Sequence, residues 1–177
     1  MLNIILILIA LAVIVFLVIA ARQPDNFRIT RTGSISAPAS AIFPHVNDLH
    51  LWDAWSPWAK LDPLAKNSFN GPSEGVGANM SWAGNNKVGV GSMTITESRP
   101  NDFIQFRLEF LKPMKATNTA EFTFTPEGDQ TAVNWTMTGI NNFMGKVMGL
   151  IMNCDKMVGG QFEQGLGALK AMVEASR

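Results

Sequence analysis

The sequence contains no tyrosine, one cysteine and two histidines in 177 residues. A single cysteine cannot form an intrachain disulfide, and it excludes a metal site built from cysteines alone. Charge is also scarce. Asp, Glu, Lys and Arg make up 16% of the chain, and the fourteen basic residues balance the fourteen acidic ones. A neutral chain with pI near 6.7 lacks the basic face that a phosphate backbone requires, so nucleic acid is not an expected partner. Gly75-Val76-Gly77 and Gly89-Val90-Gly91 have the start of a phosphate-loop spacing. Neither continues to the third glycine or opens a helix after a strand, so hairpin and bulge roles are expected for both.

Hydrophobicity is abundant, and it is unevenly placed. Of the first 21 residues, only Asn3 is polar, and every charged side chain lies beyond them. A run of about 20 apolar residues crosses a hydrocarbon layer of roughly 30 Å. No Lys or Arg precedes the run, and its length exceeds a usual signal core, which favours an anchor over a cleaved secretory signal. Small-residue cleavage sites at Val18-Ile19-Ala20 and Ile19-Ala20-Ala21 keep the signal as the alternative. Arg22, Arg28 and Arg31 follow the segment closely, so the positive-inside tendency leans towards a single-pass membrane protein with its domain in the cytoplasm.

Residues 1–21 are thus expected to be a transmembrane anchor, 22–27 a linker around Pro24, and 28–177 one globular domain. Residues 27–37 alternate as a strand, and Pro38-Ala39-Ser40-Ala41 suits a helix start. Residues 52–58 predict a short helix ended by Pro57. From Gly77 the apolar period becomes two: Met80 and Trp82; Met93 and Ile95; Ile104 to Phe110; Met114 to Phe124; Val133, Trp135 and Met137. Turn-forming sequences at residues 84–87, 99–102 and 127–129 separate these runs, which predicts an antiparallel meander with one apolar face. A long helix over residues 155–175, capped by Asn153 or Asp155, presents Val158, Phe162, Leu166, Leu169, Met172 and Val173 at helical spacing to cover that face. The fold class is α+β, a curved sheet gripping one helix.

At this point the sequence resembles a known superfamily. Leu51-Trp52-Asp53-Ala54-Trp55-Ser56-Pro57-Trp58 is similar to the tryptophan-rich stretch of START-like, polyketide-cyclase-like (SRPBCC) domains, which have the helix-grip fold. Ser34-Ile35-Ser36-Ala37-Pro38 followed by Ile42-Phe43 resembles their strand-to-helix entry. Residues 91–96, 115–120 and 148–157 resemble membrane-tethered bacterial members, and the likeness spans about residues 28–175. It implies a cavity for a hydrophobic small molecule or lipid between sheet and terminal helix. It does not fix an activity, because the superfamily holds cyclases, carriers and plain binding proteins.

The chemistry-bearing residues point the same way. His45 and His50 are five positions apart, which turns their side chains roughly 140° from each other on one helix, so no metal site is expected. Cys154 stands beside Asp155, which disfavours a thiolate, and no Gly-x-Ser-x-Gly elbow is expected. His45, Asp53, Arg107 and Glu109 are the only candidates for inward proton transfer, and no catalytic residue or cofactor is expected. The expected cavity wall is Trp55, Trp58, Met80, Trp82, Met93, Phe106, Asn118, Trp135, Met137, Met157 and Phe162. Asn118 supplies the one amide on an otherwise apolar stripe, and the methionines suit a variable apolar guest. Four glycines at 159, 160, 165 and 167 imply either a tight helix–sheet contact or a cavity wall. Three functions remain open: a membrane-tethered, non-catalytic binding domain, a polyketide-cyclase-like enzyme, and a protein-interaction module whose uncharged residues 143–152 form a lid or docking helix.

Overall fold

The computed structural model describes residues 2–176. Helix α1 (Leu2–Ala21) is long and apolar enough to cross a membrane, by length and composition. Strand β1 (Asn26–Ile35) leads into α2 (Ala39–Asn47), a 3-10 turn (Leu49–Ala54) and the short helix α3 (Pro57–Leu61). Six further strands follow: β2 (Lys66–Asn70), β3 (Asn79–Ala83), β4 (Val90–Arg99), β5 (Phe103–Lys112), β6 (Ala116–Glu127) and β7 (Gln130–Ile140). Helices α4 (Phe143–Ile151) and α5 (Cys154–Ala175) complete the chain. All seven strands form one antiparallel sheet in the order β1-β7-β6-β5-β4-β3-β2.

The period-two pattern decides which face of the sheet is covered. Ile104 and Phe106 on β5, Ala120, Phe122 and Phe124 on β6, and Val133, Trp135 and Met137 on β7 are buried in one core with α2, the 3-10 turn and α5. The alternate positions, such as Arg107, face away, where its guanidinium pairs with Glu109 at 2.7 Å. A bulge at Thr96, where Ile95 and Glu97 oppose Phe106 and Gln105, adds local twist to the sheet. The α+β helix-grip architecture expected from the sequence is the one observed.

Three local details differ from the sequence reading. Pro57 opens α3 at its first turn instead of ending a helix, which is where a residue lacking N–H is tolerated best. Strand β6 begins at Ala116, because Pro113 and Met114 belong to the turn after β5. Strand β2 was not foreseen. Its sequence Lys66-Asn67-Ser68-Phe69-Asn70 has no apolar alternation because it is a mostly exposed edge strand.

Helix α5 is seated by its cap, its apolar stripe and one cation. The Asn153 side chain accepts from Lys156 N at 2.9 Å, while Phe162, Leu166, Leu169 and Val173 are buried. Arg31 of β1 reaches across to Asp155 (2.9 Å) and Glu163 (2.6 Å). Its guanidinium lies under Gly159, where a Cβ would collide with it. This pairing holds the Asp155 carboxyl below its ordinary range, chiefly through the hydrogen bond from Arg31. A lowered folded-state pKa means the stabilisation is present above the unfolded value near pH 3.9 and is lost as pH falls through the folded value. In urea titrations, Asp155→Asn should therefore differ from the native protein at pH 7 and converge with it towards pH 2. The difference should be small, because the pair is exposed to solvent.

Gly165 is the second close approach. A Cβ there would lie 2.8 Å from Cζ3 of Trp135 and 3.1 Å from Cδ of Pro57. Both neighbours are rigid and buried, so Gly165→Ala should destabilise the fold by about 1–3 kcal/mol despite the gain in helix propensity. Thermal denaturation measures it, and an unchanged midpoint would refute the close packing. Gly160 and Gly167 face open space, and nothing in the structure explains them.

Candidate ligand-binding site

Under α5 the domain is solid at one end and hollow at the other. The solid half is built from Ile35, Ile42, Val46, Ile104, Phe122, Val133 and Leu169, all essentially inaccessible. Tryptophans close it. Trp52 Nε1 donates to the Val46 carbonyl and Trp55 Nε1 to the His45 carbonyl, both at 2.9 Å. Those carbonyls lie in the last turn of α2, so each indole satisfies its own donor and a helix end together.

The hollow half is a partly open cavity of about 460 Å³, within the range of small-molecule sites. Its floor comes from the sheet through Met80, Met93, Phe106, Leu108, Ala120 and Met137. Its roof comes from α5, which presents Val158 and Phe162 four positions apart. Trp135 stacks on Phe162 with centroids 4.2 Å apart and planes 8° from parallel, and Trp58 meets both rings edge-on. Trp82 and Phe110 form the outer edge, held by Trp82 Nε1 donating to Val88 O at 3.3 Å.

Polar atoms enter the cavity from one side, residues 53–67. Asn67 Nδ2 donates to both Asp53 oxygens at 3.1 and 3.3 Å. Asp62 accepts from Leu64 N at 3.1 Å and Asn85 N at 2.6 Å, which ties the α3–β2 loop to the β3–β4 turn. Ser56 is buried on the wall, with no described partner for its hydroxyl. Among the described residues no lysine, arginine or histidine lines the cavity. An anionic guest would lose its hydration there without gaining a counter-charge. Neutral and cationic apolar molecules escape that penalty.

A family model described as polyketide cyclase / dehydrase and lipid transport matches residues 26–174. The chain belongs to this family. No curated protein matches its sequence. Among solved structures, the family chain is similar to protein MLL2253 from Mesorhizobium loti, at 16% identity and TM-score 0.63 over 85% of this chain and 99% of that one. It is also similar to protein Ms6760 from Mycobacterium smegmatis, at 16% identity and TM-score 0.61 over 85% and 92%. A third is the di-domain ARO/CYC BexL of the BE-7585A biosynthetic pathway, at 17% identity and TM-score 0.62 over 88% and 52%. At such identities the likeness speaks for fold alone.

Eight of the eleven wall residues expected from sequence come together around the cavity of this family member: Trp58, Met80, Trp82, Met93, Phe106, Trp135, Met137 and Phe162. Three do not. Trp55 is wholly buried in the solid half. Asn118 shares the inward face but packs beside Gly139 and points its amide at Met137 Sδ, 3.9 Å away. Met157 is exposed, because the turn that aims Val158 inward rotates its neighbour by about 100°. Sequence reasoning missed Leu108, Phe110 and Ala120, which share strand parity with Phe106 and Phe122, and Val158, which precedes Phe162 by four. Asp62 and Asn67 carried no periodic signal at all.

The proton-transfer candidates are dispersed. Of His45, Asp53, Arg107 and Glu109, only Asp53 lines the cavity. Among the described residues no three His, Cys, Asp or Glu side chains gather as metal ligands. Contrary to expectation, a Gly-x-Ser-x-Gly spacing is present, at Gly71-Pro72-Ser73-Glu74-Gly75. It lies in the exposed loop between β2 and β3, not on a strand-to-helix turn, and none of it lines the cavity.

Proposed function

We propose that this chain is a membrane-tethered, non-catalytic binding domain for a hydrophobic small molecule or lipid. In this reading residues 1–21 form the anchor and 28–177 the binding domain, on the cytoplasmic side of the membrane, with the end of the expected 22–27 linker drawn into the domain because Asn26 and Phe27 already pair in β1. The observation that carries it is the composition of the cavity wall: aromatic and thioether side chains, two carboxylates and no cationic group. General acid–base chemistry needs a donor and an acceptor held beside the reacting atoms. This wall offers only Asp53 and Asp62, each already engaged by an amide. An apolar guest is expected to leave the bilayer readily for such a space, and an anchor keeps the space where the guest dissolves.

The test is extraction of the full chain from native membranes, followed by mass spectrometry of bound small molecules. A neutral or cationic apolar compound in near-stoichiometric amount is expected. A protein that is always empty would overturn the proposal. A second reading, an enzyme acting on an apolar polyketide-like substrate, draws on the two cavity carboxylates and the family's cyclases. Turnover that vanishes in Asp53→Asn would support it.

A further inference from the structure

The register of the sheet sorts its loops to two ends, and those ends differ in chemistry. Val90 pairs with Lys112, Ala83 with Val90, and Lys66 with Ala83. Phe110 pairs with Ala116, Asn118 with Gly139 and Asn26 with Ile140. One end therefore gathers the start of β1, the end of β7, the β3–β4 and β5–β6 turns and the start of β2. This is the end from which α1 departs, five residues before Asn26. Helix α4 follows β7 there and packs on α1, with Lys146 held by Asp25 at 2.5 Å.

Large apolar side chains stand exposed at this end. Leu64 (88% accessible), Ile140 (75%) and Ile151 (67%) are the extremes, joined by Leu111, Met114 and Phe143. Leu111 is the extra residue of a bulge, since Val90 and Gly91 oppose Lys112 and Phe110. It is thrust outward although a soluble surface would favour a polar residue there. Basic residues are interleaved: Lys66, Lys87, Lys112 and Lys115 are exposed and have no acidic partner among the described residues. The opposite end carries Glu74, Glu97, Asp102, Glu127 and Asp129 against Arg99. Apolar residues set among lysines match a bilayer interface with anionic headgroups, and acidic turns suit the side facing water.

We propose that this end of the sheet, with α4, is a docking surface for an anionic bilayer. It rests on the reading of α1 as an anchor and extends it: the domain lies on the membrane instead of swinging from a tether. The hollow half of the domain is the half nearest this end, since Trp82, Val88 and Phe110 belong to both. Docking thus brings the cavity against the lipid that would supply its guest.

The test uses the full chain in vesicles of phosphatidylcholine and phosphatidylglycerol. A fluorophore is placed on Ile9→Cys, Leu111→Cys, Ile151→Cys or Val76→Cys, each in a Cys154→Ser background, with quenchers carried on the lipid chains. We expect strong quenching at position 9, shallow quenching at 111 and 151, and none at 76. Lys112→Gln with Lys115→Gln should lower the docked-to-undocked ratio by roughly thirtyfold while position 9 stays quenched. Quenching at 9 with none at 111 and 151 overturns docking and leaves the anchor intact. No quenching at 9 overturns the anchor, and docking with it. Quenching at 111 that ignores both lysines and phosphatidylglycerol overturns the anionic partner.

Discussion

Phe122→Ala is expected to remove about 3–5 kcal/mol of folding stability, the range for truncating a fully enclosed phenylalanine. The ring of Phe122 is inaccessible and touches four other aromatic rings. Its centroid is 4.7 Å from Trp135, 6.0 Å from Trp52 and Phe106, and 6.2 Å from Trp55. These partners come from the 3-10 turn and its flank, β5 and β7, so the vacancy cannot be closed by moving one element. Domains are stable by only about 5–15 kcal/mol in total, so the variant should be near the edge of folding at 37 °C. Urea midpoints measure the effect. Met93→Ala, which empties space beside an existing cavity, should cost clearly less. Equal losses at the two positions would contradict the division into solid and hollow halves.

If the cavity holds the proposed apolar guest, Ala120→Phe is expected to displace it while leaving the fold in place. Ala120 faces the cavity from β6, opposite Phe106 on one neighbouring strand and Met137 on the other. A benzyl group there projects into the 460 Å³ space that the guest needs. In a filled core, such an enlargement costs about 1–3 kcal/mol. With room available, the cost should be near zero, and added apolar contact can raise the thermal midpoint. Guest recovered from purified protein should fall by roughly tenfold or more, equivalent to at least 1.4 kcal/mol of binding. Full retention of guest by a folded Ala120→Phe protein would show that the molecule binds elsewhere.

How much of this was legible in the sequence follows from the range of the signals. Residues 104–110 alternate so regularly that strand, face and burial could all be read from them. The spacing of Phe162, Leu166, Leu169 and Val173 announced the covering helix in the same way. The edge strand β2 could not be read, because nothing packs on it to demand a pattern. Asp62 reaches the cavity from the α3–β2 loop and Asn67 from the edge strand β2, and both positions depend on contacts, with Asn85 and Asp53, that lie 23 and 14 residues away. Trp55 and Trp58 stand three residues apart in a tryptophan-rich stretch. Their separate fates, one in the solid half and one on the wall, were settled by the way Pro57 starts α3. Met157 is exposed for a simpler reason: apolar character does not set the direction of a helical side chain, and helix phase does.

The split interior has a consequence for how this protein can change over generations. Rigidity resides in one half, around Phe122 and the indoles beneath α2, and under the proposed binding function selectivity resides in the other. Exchanges among Met80, Met93 and Met137 would alter the shape offered to a guest without touching the scaffold that keeps the chain folded. Such a layout lets new specificities arise by small steps, each of them viable.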